Sequence, residues 1–464
     1  IKMEWIAALK KLLGEDIISS DSDVLKNYAS DYTEDFVFLP HAVATPRTTA
    51  EVSAVLAFCN EHKIPVTPRG AGTGLSGGSL PVMGGVSLSM EHFNKILEID
   101  EQNFQATVEC GVVNEAFQQA VKEKGLFYPP DPASKGSCFL GGNIAHSSGG
   151  PKALKYGTTK DYVLNLEIVL ANGEIMWTGA NTLKNSTGYN LTQLMIGSEG
   201  TLAVVTKIVF KLLPLPQHNL LMLAKFTSID DACKAVPELF IKGLSPSALE
   251  LMETSGVQMV VDHTPDLQFP IEENTKAYLL IEVDGNDMDQ LFIACEGIND
   301  VLEANHVLEV QFADTSEQKE KLWKIRRTIG EMVKIHSTYK EEDAVVQRAS
   351  LPALMKGVKE LGEAYGFESV CYGHAGDGNL HINILKGDMT AEKWNGPHLE
   401  EGIRKIFRFC KSLGGTISGE HGIGWVQKKY LNEVLDPIHI ELMKGIKNVF
   451  DPHGILNPHK IWED

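Results

Sequence analysis

The sequence predicts an α+β protein of two domains, on three observations. Its 464 residues exceed what one ordinary hydrophobic core accommodates. Residues 86 to 216 read as short β-rich pieces with little helix, whereas residues 220 to 386 alternate longer strands and helices. Pro214 and Pro216 punctuate the chain between these regions, and the boundary is placed there. Composition excludes several classes. With 43% apolar and 22% charged residues the chain is neither disordered, collagen-like nor coiled-coil. Its 42 Lys+Arg against 61 Asp+Glu give a net charge of −19 without a clustered basic tract, so nucleic acid is not an expected partner and the acidity reads as solubility.

The elements follow in order. The N-terminal IKMEWIAALKKLLGED has helical amphipathicity, lacks the continuous apolar core of a signal peptide, and offers Met3 as a natural start. Thr48 and Glu51 have capping-box spacing ahead of Val52, Val55, Leu56 and Cys59, which predicts a helix to about His62. A strand follows at Ile64 to Thr67. The stretch 68 to 85, PRGAGTGLSGGSLPVMGG, holds seven Gly and two Pro and is expected to be a loop whose backbone lies against something. Strands are predicted in VSLSM, ATVECGV, LNLEIVLANGEIMW and TLAVVTKIVFKLL, with a helix near 113 to 124 and a hairpin turn at Ala171-Asn172-Gly173. Beyond Pro216 come strands at 220–226, 246–252, 277–285 and 307–313, alternating with helices at 229–242 and 288–304. Helices at 316–337 and 352–365 precede a strand pair around 367–386. A helix then places Leu399, Ile403, Ile406, Phe407 and Cys410 on one face and ends at Gly414-Gly415. The tail, 416–464, is dense in Gly, His and Pro.

Seven scattered Cys form no CxxC pair, which fits free thiols in a reducing, cytoplasmic compartment and leaves no iron–sulfur ligand set. No apolar run is long enough to span a membrane, and peripheral attachment at an inner membrane stays open.

Gly72-Thr73-Gly74-Leu75-Ser76-Gly77 matches GxGxxG after a predicted strand, but the Gly and Pro that follow forbid the helix that a Rossmann site requires. What survives is an anion nest of backbone N–H groups, which a diphosphate could approach because Cβ atoms are missing. Two further polar loops, 129–150 and 197–201, recur in the same half, and three such loops suggest one long ligand traced along its length. In the other half, Leu380, Ile382 and Ile384 alternate with His381 and Asn383, so a strand turns both polar residues to one face. The preceding Gly-Asp-Gly turn can fold His374 toward that face, with Asp377 capping the turn. Two His with a carboxylate, Glu420, form a divalent-metal set, although His beside Gly turns also satisfy backbone groups. His453 and His459 show no partners in the sequence and read as structural.

The segments PRGAGTGLSGG, PPDPASKGSCFLGGNIAHSSGGPKALKYGTTKDYV, KNSTGYNLTQLMIGSEGTLAVVT, GHAGDGNLHINI and SGEHGIG occur in this order. Together they resemble the FAD-dependent D-2-hydroxy-acid dehydrogenases. That family holds D-lactate dehydrogenases, D-2-hydroxyglutarate dehydrogenases and the flavoprotein subunit of glycolate oxidase, within the vanillyl-alcohol-oxidase type of flavoprotein. The match covers nearly the whole chain.

The resemblance implies an FAD-binding domain of two subdomains over 1–216, an inserted α+β substrate or cap domain over 217–415, and a segment 416–464 returning to the FAD domain. It implies that Arg69, Gly70, Ala71, Gly72, Thr73, Gly74, Gly77 and Gly78 wrap the pyrophosphate. Pro130, Asp131, Ser134, Gly141, Gly142, Asn143, Ser147 and Ser148 would line the ribityl and isoalloxazine portion. Gly197, Glu199, Gly200 and Val205 would lie toward the pyrophosphate and adenine, with Asn457 returning from the tail. Members that bind FAD covalently through this loop carry His where this chain has Thr73, so non-covalent FAD is expected.

The resemblance also implies a zinc or similar divalent ion on His374, His381 and Glu420. It places His421 beside the substrate, where an imidazole suits the general base that removes the hydroxyl proton. Arg326 matches the family's substrate-binding Arg, and a guanidinium can grip a carboxylate in two parallel bonds. Asn383, Lys340 and Arg348 are further substrate-binding candidates. Gly330 stands where D-2-hydroxyglutarate members carry Thr, which tilts the expected substrate toward D-lactate or a similar small monocarboxylate. Electrons would leave to a partner protein, an iron–sulfur subunit or a quinone. Use of dioxygen as an oxidase is the enzymatic alternative, and a flavin-free metal-dependent hydrolase is the alternative of another class. The sequence leaves a homodimer open.

Overall fold

The computed structural model describes residues 4–33 and 36–463, so Met3 lies outside the described residues. The chain divides into two units. The first comprises Ile1–Gly149, Thr158–Leu215 and Glu420–Asp464, and the second Gly150–Gly157 and Pro216–Gly419. Neither composition nor spacing signals that the short segment Gly150–Gly157 belongs with the second unit.

In the first unit, the helix Thr49–His62 starts on the predicted capping box of Thr48 and Glu51 and buries Val52, Val55, Leu56 and Cys59. It delivers the chain into the strand Val66–Arg69, which runs parallel to Val86–Ser89. Val86–Ser89 is in turn parallel to Ala42–Ala44, and Ile18–Ser19 completes this four-stranded sheet. A five-stranded antiparallel sheet has the spatial order Ile96–Asp100, Gln105–Glu109, Val204–Lys211, Val163–Val169 and Ile175–Trp177. The predicted hairpin joins its last two strands, with Gly173 at φ +89°. The tail returns to the first sheet, where Leu456 bridges Val66.

The second unit is built on a seven-stranded, wholly antiparallel sheet. Its spatial order is Glu309–Ala313, His218–Phe226, Ala277–Gly285, Ala248–Glu253, Glu368–Gly373, Asn379–Leu385 and Tyr339–Val345. The helices Thr254–His263 and Ser316–His336 cover one face. Their Val257, Val260, Trp323, Ile325, Ile329 and Val333 pack in one core with Met252, Tyr278, Leu280, Val370 and Tyr372 of the sheet. The helices Ile229–Ile241, Met288–Ala304 and Leu351–Tyr365 contact its strands as well.

Several described elements lie outside the sequence expectation, the helices Ser22–Asn27, Leu140–His146 and Leu191–Met195 among them. The strand Tyr339–Val345 and the helices Thr254–His263 and Pro437–Phe450 were not predicted. The last begins with Pro437 in its first turn, where the missing N–H costs nothing. Among the described residues no helix is long and apolar enough to cross a membrane.

Candidate active site

The glycine-rich loop after Val66–Arg69 contains no helix, as its Gly and Pro content requires. It borders a cleft of about 740 Å³, part of it open solvent. Of the residues expected to hold a cofactor, Arg69, Gly70, Gly78, Gly141, Gly142, Glu199, Gly200 and Val205 line this cleft. The remaining thirteen, Ala71, Gly72, Thr73, Gly74, Gly77, Pro130, Asp131, Ser134, Asn143, Ser147, Ser148, Gly197 and Asn457, are not among its lining residues.

Arg69 is buried, lies 5.6 Å over the Tyr28 ring, and has an Nη1 with no hydrogen-bond partner among the described residues. An unsatisfied buried donor costs about 1–3 kcal/mol, more when charged, so the site calls for an anion. The loop closes directly on this side chain: a Cβ at Gly72, whose φ is +72°, would stand 2.3 Å from Arg69 Nη2. Gly142 has nothing within 4 Å of a built Cβ and leaves space, whereas Gly141 is required by packing, since its Cβ would fall 2.8 Å from Cys110 Cβ. Buried guanidinium and bare backbone fit a dinucleotide diphosphate.

Several expected ligand residues have structural partners instead. Asn143 donates to Asn114 Oδ1 at 3.0 Å. Asn457 donates from one amide to the carbonyls of Gly78 and Glu199, each at 2.8 Å. Lys460, which sequence reasoning missed, donates to Gly78 O, Leu80 O and Asn457 Oδ1, and burial pulls its ammonium down to about 7. The Glu199 carboxylate accepts the N–H groups of Ile423 and Gly424 at 3.3 and 2.8 Å. Burial pushes the Glu199 carboxyl up to about 7 against those two bonds. His146, also missed, lines the cleft with Nδ1 3.7 Å from Glu199; burial, then His421, lowers its pKa to about 4. Glu199 thereby fixes the segment that directly follows His421. Glu420 and His421 are neighbours with Oε1 and Nε2 4.0 Å apart.

The second unit carries a polar band on one face of its sheet. His374 precedes a turn closed by Gly378 at φ +73°, where a Cβ would fall 2.0 Å from Val346 O. The turn brings its imidazole to 5.3 Å from that of His381, the ring planes at 83°. Sequence alternation thus places His381 and Asn383 opposite Leu380, Ile382 and Ile384, and all five are buried. Asn383 donates to Val370 O at 3.3 Å, and its Oδ1 has no partner among the described residues. His381 Nδ1 lies 3.6 Å from Asp343 and 3.7 Å from Glu341, carboxylates on the unpredicted strand.

Glu250 organises the band. One of its oxygens accepts Arg326 Nε–H at 2.7 Å and the other lies 2.9 Å from His374 Nδ1. Burial alone would raise this carboxyl, but His374 and Arg326 together hold it below its usual range. With Nδ1–H directed to the carboxylate, His374 presents Nε2 as the lone-pair nitrogen, the arrangement that suits a metal ligand. Arg326 is 4% exposed, its guanidinium is 5.0 Å over the Tyr372 ring, and Nη2 has no partner among the described residues. A buried cationic donor left over after its ion pair is a receptor for a small anion. The other two cations are engaged elsewhere. Lys340 donates to Trp394 O at 2.8 Å above the Trp394 ring, and Arg348 lies 3.7 Å over the Phe240 ring. Glu250 was missed from sequence, although a carboxylate flanked by Leu249 and Leu251 in the strand Ala248–Glu253 is the signal that points to it.

Comparison with known proteins agrees with both halves. The family described as FAD binding domain matches residues 40–179, and FAD linked oxidases, C-terminal domain, matches residues 215–461. The chain is 39% identical to glycolate oxidase subunit GlcD of Bacillus subtilis, over 94% of this chain and 92% of that protein. It is 37% identical to D-lactate dehydrogenase of Anaerostipes hadrus, over 99% and 96%. It is 35% identical to D-2-hydroxyglutarate dehydrogenase of Stutzerimonas stutzeri, over 98% of each. In fold it is similar to 4-ethylphenol oxidase from Gulosibacter chungangensis, with a TM-score of 0.78, 20% identity and coverage of 100% of this chain and 97% of that one. The p-cresol methylhydroxylase structure gives the same TM-score of 0.78 at 19% identity, over the same 100% and 97%. The expected α+β architecture of the vanillyl-alcohol-oxidase type therefore holds, and the chain belongs to the FAD-dependent 2-hydroxy-acid dehydrogenases among the FAD-linked oxidases.

Proposed function

We propose that this protein oxidises a small D-2-hydroxy monocarboxylic acid, D-lactate being the leading case, to its 2-oxo acid. The single observation that supports this reading best is the buried Arg326, whose Nη2 is left over beside the paired imidazoles. The names of the relatives, which cover lactate, glycolate and 2-hydroxyglutarate, agree with such an acid.

In this reading Arg326 binds the carboxylate through Nη2 while Glu250 keeps Nε and thus fixes the plane of the fork. Asn383 presents its Oδ1 toward the same acid. His421 accepts the C2 hydroxyl proton on a ring nitrogen as the C–H bond breaks, with the Glu199-anchored backbone of residues 423–424 limiting its wandering. FAD, bound non-covalently because Thr73 stands where covalent members carry the attaching His, supplies the two-electron acceptor. Lys340 and Arg348 keep their packing roles on Trp394 and Phe240. His374 and His381, with Glu420 from the adjoining chain, would hold a divalent ion of the zinc type, which would stabilise negative charge on the substrate oxygen. Glu420 follows Gly419, whose N–H donates to Asp343 Oδ2 at 2.8 Å, and this anchoring supports Glu420 as the third ligand. The electrons then pass to an acceptor other than NAD, carried by a partner protein, an iron–sulfur subunit or a quinone, as the subunit name of the GlcD relatives suggests.

The test is anaerobic reduction of the flavin by glycolate, D-lactate, D-2-hydroxyglutarate and longer D-2-hydroxy acids. Bleaching by D-lactate above the others supports the reading. A holoprotein whose flavin no member of the panel reduces removes it.

A further inference from the structure

The wall beside Arg326 carries an inference about substrate size, which rests on the hydroxy-acid reading above. Tyr372 is the cross-strand partner of His381, and their rings lie 5.3 Å apart. Its other face takes the Arg326 guanidinium at 5.0 Å. The phenol end is enclosed as well. A Cβ at Gly330, one helical turn beyond Arg326 on the same face, would fall 2.7 Å from Tyr372 Oη, and the Asn383 side chain faces the same oxygen. Tyr372 is 5% exposed. A ring held between a guanidinium, an imidazole and a helix backbone has no rotamer into which it can retreat without displacing one of them. The two side chains that would flank a bound 2-hydroxy acid, Arg326 and His381, therefore share Tyr372 as a common floor.

We propose that Tyr372 is the specificity-determining residue that sets the upper size of the acid, with Gly330 kept bare to seat its hydroxyl. The phenol fills the volume into which a substituent larger than about a methyl group at C2 would extend. It also leaves no cation at that end for a second carboxylate, because Nη2 of Arg326 is committed to the first. Loss of fit for one methylene in such an apolar enclosure is worth about 10–200-fold in kcat/KM.

The experiment compares kcat/KM for D-lactate, D-2-hydroxybutyrate, D-2-hydroxyisocaproate and D-2-hydroxyglutarate in four FAD-loaded holoenzymes. These are the wild type, Tyr372→Leu, Gly330→Ala, and the Gly330→Ala/Tyr372→Phe pair. The wild type is expected to favour D-lactate. Tyr372→Leu should raise the ratio of the longer monocarboxylic acids to D-lactate by about tenfold or more. Gly330→Ala should raise KM for D-lactate by displacing the phenol, and Tyr372→Phe should restore it by removing the oxygen that the new Cβ meets. Melting temperatures are measured alongside, because relief of the same contact would restore stability as well as KM. An unchanged ratio in Tyr372→Leu overturns the proposal, as does wild-type oxidation of D-2-hydroxyglutarate equal to that of D-lactate. Should Tyr372→Leu fail to fold, the same ratio is read in Tyr372→Met, where an unchanged value overturns the proposal. Wild-type enzyme inert toward all four acids would instead overturn the hydroxy-acid reading itself and this inference with it.

Discussion

Glu250→Gln probes the polar band most sharply, because one carboxylate there serves two partners. The wild-type side chain makes two charge-assisted contacts, to Arg326 at 2.7 Å and His374 at 2.9 Å, with Glu250 1% exposed. The amide keeps one acceptor oxygen and turns an NH₂ toward the other donor, so one contact is lost, worth about 1.5–3 kcal/mol. If Arg326 is the carboxylate receptor, its misorientation should raise KM for D-lactate by about 10–150-fold, the same energy expressed as a ratio. Removing the counter-charge of a buried guanidinium should also lower the unfolding free energy by about 3–5 kcal/mol. The assay is steady-state kinetics alongside urea unfolding, with FAD content measured from the visible spectrum. FAD content should be unchanged, since Glu250 is not among the residues lining the cofactor cleft. Adding Glu250→Gln to Arg326→Ala should then cost little more than Arg326→Ala alone. A KM within twofold of wild type would refute the role given to Glu250 and to Arg326's orientation.

The other perturbations address separate parts of the site. His421→Ala should retain FAD but slow flavin reduction by about 100-fold or more in single-turnover measurements, the usual scale of a lost general base. Near-normal reduction would remove His421 from that role. His374→Ala and His381→Ala should each lose bound divalent metal, read by elemental analysis, together with activity. A metal-free preparation with full activity would make both residues structural. Glu199 gives a pH signature. Its carboxyl sits near 7 in the folded chain against an ordinary 4.5, so between those values the folded protein keeps a proton that the unfolded chain has released. Its stabilising contribution is present below about 4.5 and is lost as pH rises through about 7. The Tm of Glu199→Gln relative to wild type should therefore increase from pH 5 to pH 8, and parallel Tm profiles would show that Glu199 titrates normally.

Local patterns carried much of the fold. The capping box at Thr48 and Glu51, the hairpin at Gly173, and the refusal of a helix after GxGxxG each depend on residues within a few positions of one another. Alternation along Asn379–Leu385 likewise identified the face that carries His381 and Asn383. What sequence reasoning missed is long-range. Glu250 meets Arg326 across 76 residues and His374 across 124, and Glu199 meets Gly424 across 225. No periodicity reports such contacts: Arg326, His374 and Glu199 stand out in the sequence as site candidates, but Glu250, which joins two of them, does not until its strand is buried. Asn457 illustrates the converse. Expected to return from the tail to the cofactor, it is not among the residues that line the cleft, and its amide clasps the Gly78 and Glu199 carbonyls.

The −19 net charge repels an acid substrate overall, so in the proposed reading affinity comes from local cations, with Arg326 as the proposed carboxylate receptor. The most direct test of that account is single-turnover anaerobic reduction of the wild-type holoenzyme by D-lactate and, separately, by L-lactate. The account predicts rapid, saturable bleaching of the visible flavin band by the D enantiomer and none on the same timescale by the L enantiomer. Equal reduction by both, or a flavin that neither reduces, would contradict it.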